Sequence, residues 1–363
     1  MKRFLKKILL AANLLFIILL LVSLFSNHWN PGRFWPIAFL GITYPILVII
    51  NVIFCVLWIY RLKWYFLLSL AVLIITWNNT ARIIQFSNHK KDVDDGIRIV
   101  SYNVHVFNKI KDNTYLFTYD TICNKIAELH PEIACFQEFR AFTTQKRGWS
   151  KSKIDSHLSF MPYNHYIVTS KERSSIEFGL AIYSKYPIIN KGSVDFPESV
   201  NGCGFADILY SEDTIRVYNI HFESASLKKK NYEFLDSVLY INHQRIDEFK
   251  DISNRLRKAY SRRSKQVEIV TQHIQQSPYP VVICGDFNDT PISYTYNQVR
   301  GELNDAFVES GKGTSRTYLG EFPSLRIDYI FYTPKFTSYN YKTVNFKVSD
   351  HLPIVCTLEK SKI

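Results

Sequence analysis

The sequence predicts an α+β fold in which a two-sheet β-sandwich, flanked by helices, follows three transmembrane α-helices. Three observations lead to this prediction. Between Lys7 and Arg82 the chain consists of long apolar runs interrupted by three charged residues. From residue 97 onward, short β-branched segments bounded by turn residues alternate with a few helical segments. The links between most of these segments have hairpin length, which favours two packed sheets with helices on their outer faces.

Three uncharged runs predict the membrane helices, at residues 8–27, 34–60 and 64–81 of a membrane region that covers 1–84. Each run is about as long as the roughly 20-residue helix that crosses a bilayer. A signal peptide or a core helix would explain one such run, but three in succession favour a membrane region. The third run is the weakest because it ends in polar residues, so two spans are the alternative.

Flanking cations predict the orientation of these helices. Four cations precede the first run, and Arg61 and Lys63 separate the second from the third, whereas only Arg33 lies in the first connection and Arg82 follows the third run. The positive-inside rule then places the N-terminus in the cytoplasm. We therefore expect an integral protein of the inner or plasma membrane with an extracytoplasmic soluble domain, and no protein partner is inferred. Loss of one helix would reverse the orientation.

The formal net charge of +12 is concentrated in two parts of the chain. Residues 1–84 hold eight Lys and Arg and no Asp or Glu, and residues 228–265 hold eleven basic and five acidic residues. The rest of the soluble domain is nearly neutral, so its composition does not indicate a uniformly basic nucleic-acid binder. The segment 228–265 is either a solvated helical face or a surface that meets phosphates or anionic lipids.

Residues 85–96 read as a polar linker, and residues 97–363 read as one soluble domain. Ionisable and amide side chains occur where the predicted strands of this domain begin or end. One such residue could cap a turn or be a hydrogen-bonded core histidine. So many of them against buried runs predict a shared site, because burying charges without partners costs several kcal/mol. They are Asn103, Glu138, His221, Asp286, Asn288, Asp328, Asp350 and His351.

The segments that carry these residues resemble the endonuclease/exonuclease/phosphatase superfamily, in the family's order across residues 97–359. Its members include deoxyribonucleases, abasic-site endonucleases, sphingomyelinases and inositol polyphosphate phosphatases. The resemblance implies two packed mixed sheets with the site at one end, and a divalent metal, normally Mg²⁺, with Mn²⁺ as the alternative. The segments are "SYNVHVF", "CFQE", "GLAIYSKYPI", "NIHFES", "ICGDFND", "RIDYIF" and "SDHLPI".

The resemblance also implies a role for each of the oxygen-bearing side chains. Glu138 matches the principal metal carboxylate, and Asn103 and Asp350 match its helpers. Asp286 and Asn288 match the pair that positions or activates the attacking water and holds the phosphate. Residues two apart on a strand's exit point the same way, so these last two side chains can address one phosphate together.

The remaining roles fall to imidazoles and their partners. His351 matches the catalytic histidine beside the scissile phosphate, steadied by Asp328, and His221 matches the second histidine of the deoxyribonuclease and sphingomyelinase branches. Glu177 is a candidate to orient His221, or else a solvated strand residue. Tyr183 is a candidate donor to a phosphate oxygen, or else a packed strand residue.

The chemistry agrees with the residue types. A phosphodiester is anionic and repels a nucleophile, so a hard cation with oxygen ligands is needed, and the lack of Cys/His metal spacing argues against zinc. A histidine paired with a carboxylate suits a proton acceptor near neutral pH. The sequence thus predicts a membrane-tethered, magnesium-dependent phosphodiesterase, with nucleic acid as the favoured substrate. A sphingomyelinase-like lipid phosphodiesterase and a non-catalytic binding module are the alternatives.

Overall fold

The computed structural model describes most of the chain. It covers residues 2–361 except 88–90, 92, 94–95, 112–113, 145–148, 173–174, 198, 226–242 and 321–324. The side chains of residues 2–3, 109–111, 114–117 and 243–249 are not described either. Half of the predicted linker and the Lys228–Lys230 run therefore lie outside the described residues.

The N-terminal region is helical, but its third predicted span is interrupted. Two helices, Phe4–Asn27 with its final 3₁₀ turn and Pro36–Tyr60, are long and apolar enough to cross a membrane, so the part of the chain described here has two such helices and not three. By length and composition alone they are weak evidence of an anchor. The third run breaks at Thr76, whose hydroxyl donates to Val72 O at 2.9 Å. The four helices are α1 (Lys2–Ser23), α2 (Pro36–Tyr60), α3 (Phe66–Ile75) and α4 (Trp77–Ala81).

These helices pack antiparallel, so that the end of α1, the start of α2 and the end of α4 lie at the same side. Tyr44 Oη donates to Thr76 O at 2.8 Å near that side. Deeper in the bundle, Asn13 Nδ2 donates to Ser69 Oγ at 2.8 Å, and Trp58 Nε1 donates to Asn13 Oδ1 at 2.9 Å. Buried polar bonds between apolar helices fix their register, because the alternative is an unsatisfied polar group.

The soluble domain has the predicted α+β architecture: two six-stranded mixed sheets stacked face to face, with helices outside. The first sheet has the order β13 (Phe336–Thr343), β14 (Ile354–Lys360), β1 (Gly96–Asn103), β4 (Ile133–Phe142), β6 (Ile176–Ser184), β5 (Tyr163–Glu172). The second has the order β11 (Asn304–Asp305), β12 (Asp328–Tyr332), β10 (Val281–Asp286), β9 (Asp213–His221), β8 (Gly202–Tyr210), β7 (Ile188–Val194). A separate hairpin pairs β2 (Asn108–Lys111) with β3 (Thr114–Phe117).

Each outer face of the sandwich is covered by helices, and in each sheet two central strands are parallel. The pairs β1 with β4 and β9 with β10 are parallel, which brings their carboxyl ends to one end of the sandwich. The first sheet packs on α5 and α6, the second on α7 and α8. The helices of the domain are α5 (Tyr119–Leu129), α6 (Lys151–His157), α7 (His243–Gln275), α8 (Tyr294–Arg300) and α9 (Ala306–Ser310).

One polar bridge crosses the otherwise apolar core between the sheets. Gln137 Nε2 donates to Asn219 Oδ1 at 2.7 Å, and both side chains are fully buried. Asn219 Nδ2 in turn donates to Phe136 O at 2.9 Å and to Ala181 O at 3.0 Å. Because Gln137 directly precedes Glu138, the bridge fixes the stacking of the two sheets next to the strand ends where the predicted site lies.

We expect Asn219→Ala to lower the free energy of unfolding by about 2 kcal/mol, because the substitution leaves two buried carbonyls without a donor. Denaturation of the full chain in detergent would measure the loss. Asn254→Ala, at an exposed position of α7, is the matched control and should change stability by less than about 0.5 kcal/mol. Equal stability of the two variants would contradict this role for the bridge.

Candidate active site

Three neighbouring strands of the second sheet place three ionisable side chains side by side. Asp286 is the last residue of β10, and its register partners are His221, the last residue of parallel β9, and Asp328, the first residue of antiparallel β12. The strand order alone therefore brings together residues separated by more than one hundred positions in sequence. Asp286 and Asp328 are both buried.

The first sheet supplies the opposite side of the same cluster. The Asn103 amide, at the end of β1, donates to Asp286 Oδ2 at 3.0 Å and to Glu138 Oε1 at 3.1 Å. His221 Nε2 lies 3.6 Å from Asp286 Oδ2 and 3.8 Å from Glu138 Oε1. One amide and one imidazole thus contact a carboxylate from each sheet, and the cluster spans the gap between the sheets.

His351 lies between two buried carboxylates. Its Nδ1 donates to Asp328 Oδ2 at 2.9 Å, which directs Nε2 toward Asp286 Oδ2 at 3.5 Å. Burial acts to lower the pKa of His351, but the charges of Asp328 and Asp286 outweigh it and raise the pKa well above its usual value. Burial raises the pKa of Asp286, against the opposing charge of His351. His351 therefore holds a proton more tightly than a free imidazole does, and Asp286 is a weaker acid than a free aspartic acid.

A strained backbone conformation directs two side chains of the cluster toward the site. Glu138 and Asn288 both have a φ of 51°, in the left-handed region that non-glycine residues rarely adopt. At Glu138 the ladder between β4 and β6 is interrupted by a bulge, which turns the carboxylate out of the strand's alternation. At Asn288 the backbone N–H donates to Asp286 Oδ1 at 2.8 Å, and Nδ2 donates to Phe222 O at 3.0 Å. Such strain persists where surrounding contacts enforce it, and it is concentrated at functional sites.

His105 belongs to the cluster, although the sequence analysis did not single it out. Its Nδ1 lies 3.2 Å from Asp350 Oδ1 and 3.7 Å from Glu138 Oε2. The hydrogen bond with Asp350 raises the pKa of His105. Burial acts to raise the pKa of Asp350, but His105 and His351 together lower it to about 2. The sequence feature that could have indicated His105 is its position two residues after Asn103, just beyond the end of the same strand.

Two predicted site residues lie elsewhere. Glu177 does not reach His221: its carboxylate pairs with Lys151 Nζ at 2.5 Å and Lys171 Nζ at 3.0 Å on the first sheet. The fully buried Tyr183 packs in the core beneath α5 and α6, where its hydroxyl donates to Asp155 Oδ1 at 2.9 Å. That hydroxyl is therefore not available to a phosphate.

The cluster fits a hard divalent cation. Its donors are carboxylate oxygens, which are the ligands that Mg²⁺ and Mn²⁺ prefer, while Asn103 Oδ1 accepts from the His105 backbone N–H at 3.0 Å and lies at the same edge of the cluster. The Glu138 and Asp350 side chains remain 30% and 37% exposed at the mouth, so a hydrated ion can reach them. Asp286, Asp328 and His351 each offer a ligand atom within 4.8 Å of the others, and Asp328 Oδ1 is buried without a hydrogen-bond partner among the described residues. Unpaired buried carboxylate oxygens are costly, and a nearby cation would offset that cost.

Comparison with family models separates the chain into two parts. The model described as the Endonuclease/Exonuclease/phosphatase family matches residues 100–351, and a model of a domain of unknown function matches residues 6–83. No curated protein sequence matches the chain.

Solved structures share the fold of the soluble domain. An endonuclease/exonuclease/phosphatase from Beutenbergia cavernae is 16% identical with a TM-score of 0.54, covering 74% of this chain and 72% of that one. One from Bacteroides vulgatus is 17% identical with a TM-score of 0.53, over 73% and 99%. The human Nocturnin catalytic domain, solved with a bound sulfate anion, is 14% identical with a TM-score of 0.51, over 75% and 97%. At these identities the likeness concerns the fold.

We expect Glu138→Gln to weaken Mg²⁺ binding at least about tenfold, because an amide cannot replace a charged metal ligand. The readout is the rise in melting temperature that Mg²⁺ gives the full chain. Glu302→Gln, at an exposed position, is the matched control and should keep the wild-type response. A full response in the Glu138 variant would remove this carboxylate from the metal site.

The lysine contacts of Glu177 lead to a separate prediction. Because Glu177 pairs with lysines and does not contact His221, Glu177→Gln should keep phosphoesterase activity within about twofold. His221→Asn should lose at least about a hundredfold, as expected when a side chain that assists proton transfer or binds the phosphate is removed. Steady-state kinetics on the two variants measure this, and comparable losses would restore the Glu177–His221 pair.

Proposed function

The chain belongs to the endonuclease/exonuclease/phosphatase family of metal-dependent phosphoester hydrolases, and from this premise we propose a membrane-tethered, Mg²⁺-dependent phosphodiesterase. Water attacks phosphorus directly and no covalent enzyme intermediate forms. The observation that carries the proposal is the position of Asp286 Oδ2, which lies 3.0 Å from the Asn103 amide and within 3.6 Å of both His221 and His351. A single carboxylate oxygen with these neighbours is suited to accept the proton of an attacking water.

Asn103, Glu138 and Asp350 would hold the metal at the mouth of the cluster. A divalent metal bound there supplies neutralisation of the negative charge on the phosphoryl group. Asp286 accepts a proton from the attacking water, a task that suits a carboxyl whose pKa is raised by burial. The backbone N–H of Asn288 holds the other oxygen of this carboxylate and so fixes its orientation.

His351 completes the reaction as the proton donor. The sequence favoured a proton acceptor at this position, and we assign the donor's role because two carboxylates beside the ring raise its pKa. The water oxygen forms a bond to phosphorus, the bond from phosphorus to the leaving oxygen breaks, and that oxygen takes the proton from His351 Nε2. Asp328 holds the ring in place, and His221 binds a phosphoryl oxygen from the opposite side of Asp286.

The helical region tethers the domain in a defined position. Ser26 Oγ, just after α1, donates to Ile292 O at 3.0 Å, and Arg326 Nη2 donates to Arg82 O at 2.8 Å. A β-bridge also joins Gln85 to Gly313. The proposed topology keeps the N-terminus in the cytoplasm, with α3 and α4 together returning the chain to the side of the domain. The domain would then be extracytoplasmic, resting on the membrane surface.

Two alternatives concern what the site does with a phosphate. A binding module would need none of the proton-handling pairs, yet His351 with Asp328 and Asp286 with Asn103 are both assembled and hydrogen-bonded. A nuclease-like substrate, favoured by the sequence, shares all of the chemistry above with a lipid phosphodiester. The two differ in what lies next to the phosphate.

We expect the full chain in detergent to hydrolyse bis-p-nitrophenyl phosphate with Mg²⁺ and to stop with EDTA, because the carboxylate cluster alone repels the substrate. His351→Ala should lower kcat at least about a thousandfold. His157→Ala, which removes a half-buried histidine of α6 that pairs with Asp120, is the control and should retain wild-type kcat. Release of p-nitrophenolate measures both, and EDTA-resistant hydrolysis would refute the proposed function.

A further inference from the structure

The wall of the candidate active site includes a residue of a membrane helix. A cavity of about 210 Å³ opens over Asp286 and His351, and Ile42 of α2 lines it together with Leu325 and Ile327 of the domain. Ile42 lies six residues after the start of α2, or about 9 Å along the helix axis. One side of the cavity is therefore polar and carries the reacting groups, and the side next to the helical region is apolar.

A second cavity continues the first along α2. It has a volume of about 230 Å³ and shares Ile42, Thr290 and Leu325 with the active-site cavity. Its further lining is largely apolar and comes from both the helices and the domain, including Pro45 and Ile292. The two cavities are therefore adjacent, and together they line a path from the carboxylate cluster along α2, with Ile42, Thr290 and Leu325 where they meet.

The path meets an apolar stripe that runs down α2. Spacings of four and three residues from Ile42 place the following side chains on one face of the helix. Each of them is more than half exposed, as expected of a face that contacts lipid chains. They are Ile46, Ile49, Ile53 and Val56. An apolar chain that occupies the second cavity would leave it along this stripe, while Arg316 and Arg326 line the other side of the cavity.

Exposed cations lie on α7, the helix that also lines the active-site cavity. Asn30, in the connection between α1 and α2, donates to Glu268 of α7 at 2.8 Å, which brings α7 against the ends of the apolar helices. One turn or more toward its start, α7 exposes Arg257, Lys258 and Arg262. Basic side chains at a membrane surface attract anionic headgroups.

We propose that the substrate is an amphiphilic phosphodiester, a membrane lipid, whose phosphate lies at Asp286 and His351 and whose apolar chain lies along Ile42 and Leu325. This inference rests on the proposed function, because it takes the same hydrolysis and assigns its substrate class. The bond changes are unchanged: water oxygen binds phosphorus, one phosphorus–oxygen bond breaks, and an alcohol and a phosphate monoester result. The new element is that α2 forms part of the substrate site.

The proposed substrate class can be tested with p-nitrophenyl alkyl phosphates whose alkyl group is methyl, butyl or octyl. The assay uses the full-length protein in detergent micelles with Mg²⁺. Each methylene that leaves water for an apolar wall contributes up to about a fourfold factor, so kcat/KM should rise at least about fiftyfold from methyl to octyl. Ile42→Trp narrows the path and should lower the octyl-to-methyl ratio at least about tenfold. Leu325→Trp narrows it from the domain side and should act alike if the first variant fails to fold.

Ile59→Trp is the matched control, because Ile59 is exposed at the far end of α2 and lies outside the path. It should keep the wild-type ratio, and since partition of the substrates into micelles is common to all variants, the comparison isolates the path. Equal ratios in the Ile42, Leu325 and Ile59 variants would overturn the inference. So would a wild-type ratio near one, or a much higher kcat/KM on a single-stranded oligonucleotide than on the octyl ester. If no diester were hydrolysed, the proposed function itself would fail.

Discussion

The site depends on holding carboxylates of like charge close together at one end of a β-sandwich. Glu138 comes from one sheet and Asp286 from the other, and their repulsion would push the sheets apart if nothing lay between them. The Asn103 amide, which donates to both, opposes this force, and His221 Nε2 lies within 3.8 Å of the same two carboxylates. The buried bridge from Gln137 to Asn219 acts next to it and fixes the distance between the sheets. A divalent ion would add to the same effect, so the stability of the fold and the binding of metal are coupled here.

The topology explains why so many reacting groups converge. Parallel β9 and β10 end at the same level, and antiparallel β12 starts there, so His221, Asp286 and Asp328 become neighbours through backbone pairing alone. The first sheet repeats the arrangement with β1 and β4. Glu138 needs more than strand pairing, and the bulge and the left-handed backbone conformation direct its carboxylate to the cluster. Backbone strain at this position is the cost of bringing a carboxylate from mid-strand to the end of the sandwich.

Sequence reasoning recovers the two-sheet fold and the cluster because alternation of apolar residues marks the strands and polar residues mark their ends. It does not predict the contacts of side chains whose partners come from other elements of the fold. Glu177 and Tyr183 lie in a strand, as other predicted site residues do. Their polar atoms bond instead to Lys151 and Asp155 of α6, a helix whose position the sequence pattern does not predict. His105 was missed because a left-handed turn, not a strand, directs it at the cluster. The third apolar run had the expected composition, yet Thr76 interrupts its helix.

The central claim is that Glu138, with Asn103 and Asp350, holds one divalent ion beside Asp286 of the other sheet. Anomalous diffraction from crystals of the full chain soaked in Mn²⁺ tests it most directly. The account predicts a peak about 2 to 2.5 Å from a carboxylate oxygen of Glu138, on the side that faces Asp286, with Asn103 or Asp350 among its other neighbours. A peak that contacts neither Glu138 nor Asp350, or no peak at this cluster with Mn²⁺ bound elsewhere, would contradict the account.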